Sequence, residues 1–292
     1  MLGRLALLSG LLMALVSVPV AGDPEQTPLP VFVSILPQKY FVEQVGGPHV
    51  NVSVLVGPGH SPATYEPTPS QMQALGKARL FVRIGVPFED VWYSRIHQTN
   101  PDMITLDARE DIPLRTMQGT HGESLSLHQS HGKDPHIWTS PPLVKIMARH
   151  LRDRLSALDP AQAADYERNF QRFSADLDAL DRDIRNELAG LTSRRFMVFH
   201  PAWGYFADTY NLEQIPVEAE GKSPGPRTLA LLIEQAKAED IRVLFVQEQF
   251  SQKAARTIAS AIDGRVEAVD ALAYDYPANL RRVTRLIAEA NL

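Results

Sequence analysis

The sequence predicts an α/β protein of two similar lobes joined by a single long linking helix, with a ligand cleft between the lobes. Three observations predict it. Short β-branched runs alternate with helical segments on both sides of the chain's middle, the pattern of parallel βαβ units. Between them, residues Asp159–Gly190 carry apolar side chains at helical spacing and charge on the opposite face. The halves also echo each other: Pro37, Tyr40-Phe41 and Ser61-Pro62 recur in the same order as Pro201, Tyr205-Phe206 and Ser223-Pro224.

The linking segment is the clearest element. Asp159 suits an N-cap and Pro160 the first helical position. Tyr166, Phe170, Phe173, Leu177, Leu180, Ile184 and Leu188 then form one stripe, and Gly190 supplies a stop. At 1.5 Å per residue the helix would be about 45 Å long, enough to run past two lobes. Such a stripe could also serve a coiled-coil partner. Globular sequence at both ends favours an internal strut.

The first lobe is placed at residues 28–158. Strands are expected at Val31–Ile35, Val50–Val56, Leu80–Ile84 and Met103–Leu106, with helices at Gln38–Val45, Ser70–Ala78 and Phe88–Gln98. Residues 115–133 are polar, glycine-bearing and aperiodic, hence a mobile loop. The linking helix takes 159–190. The second lobe, 191–292, repeats the pattern with strands at Arg195–Phe199, Gln214–Glu218, Ile241–Val246 and Arg265–Val269. Its helices fall at Trp203–Tyr210, Arg227–Glu239 and Gln252–Ile262.

Composition sets the setting. Of 292 residues, 44% are hydrophobic and 22% charged, as in soluble globular proteins. Residues 1–22 stand apart: Arg4, an apolar run from Leu5 to Val18, then small residues, which is a secretory signal peptide cleaved after Gly22. Losing Arg4 takes the formal charge from −5 to −6, so neither nucleic acid nor an anionic membrane is a suggested partner. The chain has no cysteine, hence no disulfide, no thiolate metal site and no cysteine-borne lipid anchor. Export without an anchor points to a periplasm.

Without thiolates, a transition-metal site must use imidazole and carboxylate. Nine histidines are present. His60 follows the Val50–Val56 strand, His136 lies in Asp134-Pro135-His136-Ile137-Trp138, His200 follows Arg195–Phe199, and Asp270 follows Arg265–Val269. All four sit at or beside the carboxyl ends of strands, where open α/β sheets put their ligands. Singly, each could be a turn residue or a cap. His49, His97 and His150 have no such placement and are read as surface or structural residues. His121, His128 and His131 crowd the 115–133 loop beside Glu123 and suggest weak accessory metal capture.

The motifs GHSPATYEPTP (Gly59–Pro69), DPHIW (Asp134–Trp138), HPAWGY (His200–Tyr205) and VLFVQEQF (Val243–Phe250) resemble those of periplasmic zinc-binding subunits of ABC importers. These are the ZnuA and AztC type within the metal-specific solute-binding proteins. The resemblance spans the mature chain. It implies two Rossmann-like lobes, a long linking helix, and one metal in the cleft held by His136, His200, Asp270 and a donor from the Gly59–Pro69 loop. In much of the family that donor is a histidine after Ser-Pro, where this chain has Ala63. His60 is the substitute, since residues three apart in a tight turn can point the same way. The family's usual glutamate before Gln-Phe is here Gln247, with Glu248 displaced by one. Three imidazoles and one carboxylate suit tetrahedral Zn2+. Manganese relatives use more oxygen donors, and copper would accept this set.

The implied function is capture of Zn2+ and its delivery to an ABC permease and its ATPase by a monomer, with a periplasmic metallochaperone as a further partner. Other readings are a zinc buffer without a transporter, a manganese homologue, and a zinc hydrolase with Glu66 or Glu248 as base. Against the last, there is no HExxH motif, and four ligands would close the site.

Overall fold

The computed structural model describes residues 27–117, 132–218, 222–247, 249–250 and 252–291. The expected signal peptide at 1–22 lies outside these residues, as do His121, His128, His131 and Glu248. Among the described residues, eight strands form two parallel sheets. The first contains β1 (Leu29–Ile35), β2 (Val50–Val56), β3 (Leu80–Arg83) and β4 (Ile104–Asp107) in the order β2-β1-β3-β4. The second contains β5 (Arg195–Val198), β6 (Glu213–Pro216), β7 (Val243–Val246) and β8 (Arg265–Ala268) in the order β6-β5-β7-β8. The two orders are the same, which gives the echo between the halves a structural basis. In each sheet the connection reverses between the first and third strands, at β1/β3 and β5/β7. That switch point opens a crevice at the carboxyl ends of the strands.

Val31, Phe32, Val33 and Ile35 are buried along β1, as a strand covered on both faces requires. The covering helices of the first half are α1 (Leu36–Gly46), α2 (Pro69–Leu75), α3 (Pro87–Thr99) and α4 (Pro141–Leu158). Thr68 caps α2 reciprocally with Gln71, at 3.3 and 2.9 Å. Gln71 also donates to the Leu55 carbonyl at 2.8 Å and so fixes the far end of the 57–68 loop to β2.

The linking helix is shorter than expected. Pro160–Gln162 form a 3-10 turn, α5 runs Ala163–Glu187, and its cap is Leu188 rather than Gly190. Asp159 ends α4 and makes no side-chain cap; its carboxylate accepts instead from Tyr166 Oη at 3.2 Å. Twenty-five residues give about 38 Å. The expected stripe from Tyr166 to Ile184 is the buried face. It packs on α1 and α4 of the first half and on α9 (Tyr276–Ala290) of the second, so α5 is a strut shared by both.

The second half also contains α6 (Gly204–Tyr210), α7 (Pro226–Ala238) and α8 (Gln252–Ala261). Helix α9, absent from the expected list, carries Tyr276, Leu280, Val283 and Ile287 inward. Tyr276 meets Phe41 edge-on at 4.9 Å between centroids, and Phe41 lies 6.0 Å from Phe173. The last helix is thereby keyed to the first half through aromatic contacts.

Candidate metal centre

The carboxyl edge of the second sheet presents, in spatial order, Glu218, His200, Gln247 and Asp270, one from the end of each strand. Each is positioned by pairing that continues past its strand. Phe199 N donates to Phe245 O at 2.8 Å, Glu218 N to Phe199 O at 3.0 Å, and Val269 N to Val246 O at 3.0 Å. His136 comes from the first half of the chain, at the head of a 3-10 turn over Ile137–Thr139 that leads into α4.

His136 and His200 converge, with their Nε2 atoms 3.3 Å apart. Each ring is held from behind by a buried carboxylate. His136 Nδ1 bonds Asp134 Oδ1 at 2.7 Å, and that oxygen also accepts from the His136 amide at 3.0 Å. His200 Nδ1 bonds the Glu218 carboxylate, which is 1% exposed. With both Nδ1 protons donated to carboxylates, the network assigns the tautomers that leave the two Nε2 lone pairs facing each other. Phe250 stacks on His200 at 4.8 Å and 17°, and the Trp138 ring lies 5.1 Å from His136. Burial pushes the His200 imidazole below its ordinary pKa; Glu218 acts upward and His136 downward again. A neutral imidazole with a fixed tautomer is a metal ligand ready to bind.

The other sequence candidates make contacts of their own. Asp270 is half-buried; its Oδ1 accepts from Leu272 N at 2.7 Å, and its carbonyl from Asn279 Nδ2 at 2.6 Å. His60 is exposed on the 57–68 loop, with its ring 5.7 Å from that of Tyr65. Ala63, not His60, lines the cleft, next to Ser61 and Pro62 and together with His136 and His200. Among the described residues, no three His, Asp or Glu side chains gather closely enough to hold a metal. The formed part of the centre is therefore the histidine pair. Asp134 and Glu218 were not singled out from the sequence. Asp134 stood two residues before His136 in the DPHIW motif, while Glu218 needs the β5–β6 register to bring it to His200. His49 pairs with Asp165 at 2.8 Å and His150 with Asp111 at 3.2 Å, as structural residues do. The stem of the 115–133 loop is an antiparallel bridge between Thr116 and Lys133, and Met117, Gly132 and Lys133 line the cleft.

Two parallel α/β units with a pair of oriented imidazoles in the crevice between them define a two-lobe metal-binding receptor. Residues 31–290 match the family model for the periplasmic zinc-uptake complex component A, ZnuA. The high-affinity zinc uptake protein ZnuA of Bacillus subtilis is 27% identical over 261 residues, 86% of this chain and 81% of that protein. A crystal structure of ZnuA superposes with a TM-score of 0.85 at 40% identity, covering 91% of this chain and 100% of the other. A ZnuA deletion mutant plus zinc bound superposes equally well, at 0.85 and 41% identity over 91% and 98% of the two chains. The chain belongs to the ZnuA family of metal-binding solute receptors, which bind their ion and catalyse no reaction on it.

Proposed function

We propose that the protein captures Zn2+ in the periplasm and hands it to an ABC permease and its ATPase. The Nε2 atoms of His136 and His200 and the carboxylate of Asp270 are the proposed protein ligands, in a cleft between lobes at 28–158 and 191–292. The observation that carries this is the 3.3 Å separation of the two Nε2 atoms. Zinc–nitrogen bonds of about 2.0–2.1 Å at a tetrahedral angle place two nitrogens about 3.3–3.4 Å apart. Two lone pairs at that distance repel unless a cation lies between them, and imidazole donors favour zinc over manganese. Asp270 ends the strand beside that of Gln247, on the edge that carries His200, and would add one negative charge. His60 serves as a ligand only if its loop turns inward.

The test is competition for Zn2+ and Mn2+ against a chelator. The expected result is one tight zinc equivalent, lost in His136→Ala and in His200→Ala. Preference for Mn2+ at equal free concentrations overturns the metal assignment. Delivery is tested by zinc-limited growth of a strain lacking the receptor gene, with and without the permease. Export is tested by the N-terminus of the periplasmic protein, expected at Asp23.

A further inference from the structure

Gln247 stands between His200 and Asp270 on the carboxyl edge of the second sheet. Its side chain is 3% exposed and borders the cleft. The amide's Nε2 donates to the His200 carbonyl at 3.3 Å, which fixes the amide's orientation. The opposite atom, Oε1, is buried and accepts no hydrogen bond from the protein. A buried amide oxygen in that position calls for a donor from within the cleft, because leaving it unsatisfied costs the full desolvation of the group.

On the 57–68 loop the cavity is lined by Ser61, Pro62 and Ala63, and none of them hydrogen-bonds Gln247 Oε1. Ala63 presents a methyl group there, and the nearest histidine in sequence, His60, is exposed outside the cleft. The cavity measures about 410 Å³, far more than an ion fills and within the range of small-molecule sites. One water occupies roughly 30 Å³. Lys133, which also lines the cavity and whose Nζ donates to the Leu114 carbonyl at 3.4 Å, supplies a positive charge suited to a carboxylate.

We propose that Gln247 positions an exogenous zinc ligand in the coordination position facing Ala63. The ligand's donor atom carries a hydrogen, which it gives to Gln247 Oε1. It is either metal-bound water or the amino group of a small amino-acid chelate. Zinc thus enters with part of its coordination supplied from solution, and Gln247 selects for a ligand that donates. A carboxylate or a deprotonated donor at this position would face the amide oxygen with no hydrogen to share. The inference rests on His136 and His200 as zinc ligands.

The experiment uses the full-length mature protein loaded with Zn2+ for affinity and with Co2+ for its visible spectrum. In amino-acid-free buffer, Gln247→Met should weaken zinc by about tenfold, equivalent to about 1.4 kcal/mol, and change the cobalt bands. Gln247→Glu, which keeps an acceptor but loses the Nε2 donor to the His200 carbonyl, should bind zinc more tightly than Gln247→Met. Glycine added to the parent Co2+ protein should shift the bands saturably if the amino-acid form is taken. No glycine effect, together with the Gln247→Met change, assigns the position to water. Ala63→His should tighten zinc and remove any glycine response, because it fills the position with imidazole. The inference is overturned if Gln247→Met matches the parent in affinity and spectrum. It is also overturned if His60→Ala costs tenfold or more, which would place a protein ligand there. If His136→Ala and His200→Ala both retain tight zinc, the underlying assignment fails instead.

Discussion

Glu218 offers the sharpest test of how the histidine pair is held. It is buried at the end of β6 and bonds His200 Nδ1, so it decides which nitrogen of His200 faces the cleft. Glu218→Gln keeps the shape and an acceptor oxygen but removes the charge. A hydrogen bond to an ionised partner contributes about 1.5–3 kcal/mol and a neutral one about 0.5–1.5 kcal/mol. The difference, about 1–1.5 kcal/mol, corresponds to roughly a tenfold loss of zinc affinity. Glu218→Ala removes the acceptor altogether and frees the ring, so its loss should approach the hundredfold end of the range for partners of metal-bound histidines, about 2.7 kcal/mol. The stack on Phe250 and the approach of His136 would then remain beside the imidazole.

The assay is chelator competition at neutral pH, with denaturant midpoints of the metal-free proteins measured alongside. The expected order is parent, then Glu218→Gln, then Glu218→Ala, with Asp134→Asn falling near Glu218→Gln. If both Glu218 variants bind zinc within twofold of the parent, the carboxylate does not orient His200 and the account of the site is wrong. A uniform loss that tracks the denaturant midpoints would assign Glu218 a purely structural role.

Deleting residues 118–131, which carry His121, His128 and His131, should leave the tight site intact and remove weak additional zinc binding or slow capture, as read by stopped-flow competition; loss of tight binding would place a primary ligand on the loop. Asp107 carries a pH prediction. Burial raises its pKa, but hydrogen bonds from the Arg109 guanidinium at 2.8 and 2.6 Å and the Arg109 amide at 3.0 Å outweigh burial and hold it below its ordinary value of 3.8. A depressed carboxylate stabilises the fold above its unfolded pKa and loses that contribution as pH falls through the folded one. Asp107→Asn should therefore lower the denaturant midpoint at neutral pH, and the gap to the parent should narrow on acidification; a gap independent of pH would refute it.

The sheet architecture was legible because buried parallel strands leave short β-branched runs, and all eight expected runs form strands. The linking stripe was legible for the same kind of reason, since Tyr166 to Ile184 must face the core. Its start was not. Asp159 and Pro160 make a good helix head in isolation, yet α4 ends there, and the chain needs a 3-10 turn to reverse onto it. Helix α9 is not among the expected elements, although Tyr276, Leu280, Val283 and Ile287 are spaced for one. At the cleft, the places of His136 and His200 at helix and strand ends foreshadow their convergence. Which carboxylate backs which imidazole was not legible, because Glu218 meets His200 only through the pairing of β5 with β6. Nor does a spacing of three tell which way a turn aims a side chain. Gly59 takes φ +77°, and the loop carries Ala63, not His60, into the cleft wall.

The pair's geometry owes little to any closing of the lobes. His136 belongs to the first half of the chain, but hydrogen bonds fasten its surroundings to the second. Trp138 Nε1 donates to the Ala271 carbonyl at 2.7 Å, Tyr205 Oη donates to the Asp134 carbonyl at 2.9 Å, and Ser140 Oγ meets Thr209 Oγ1 at 2.8 Å. Separating the histidines would break these bonds and leave the buried Trp138 N–H and Asp134 carbonyl unsatisfied, a cost of about 1–3 kcal/mol for each such group. It would also disturb the packing of α9 on α5 and the Phe41–Tyr276 contact. On the proposed assignment, an arriving ion would meet two nitrogens already at the separation it requires, and little of its binding energy would go into ordering them. The side of the cleft that carries Ala63 is different. The 57–68 loop reaches the first sheet through α2, and Phe88 N donates to Pro62 O at 3.1 Å to fix it to α3. On the proposal that an exogenous ligand faces Ala63, release would begin from that ligand, on the side of the cleft built by this loop, and leave the histidine pair intact.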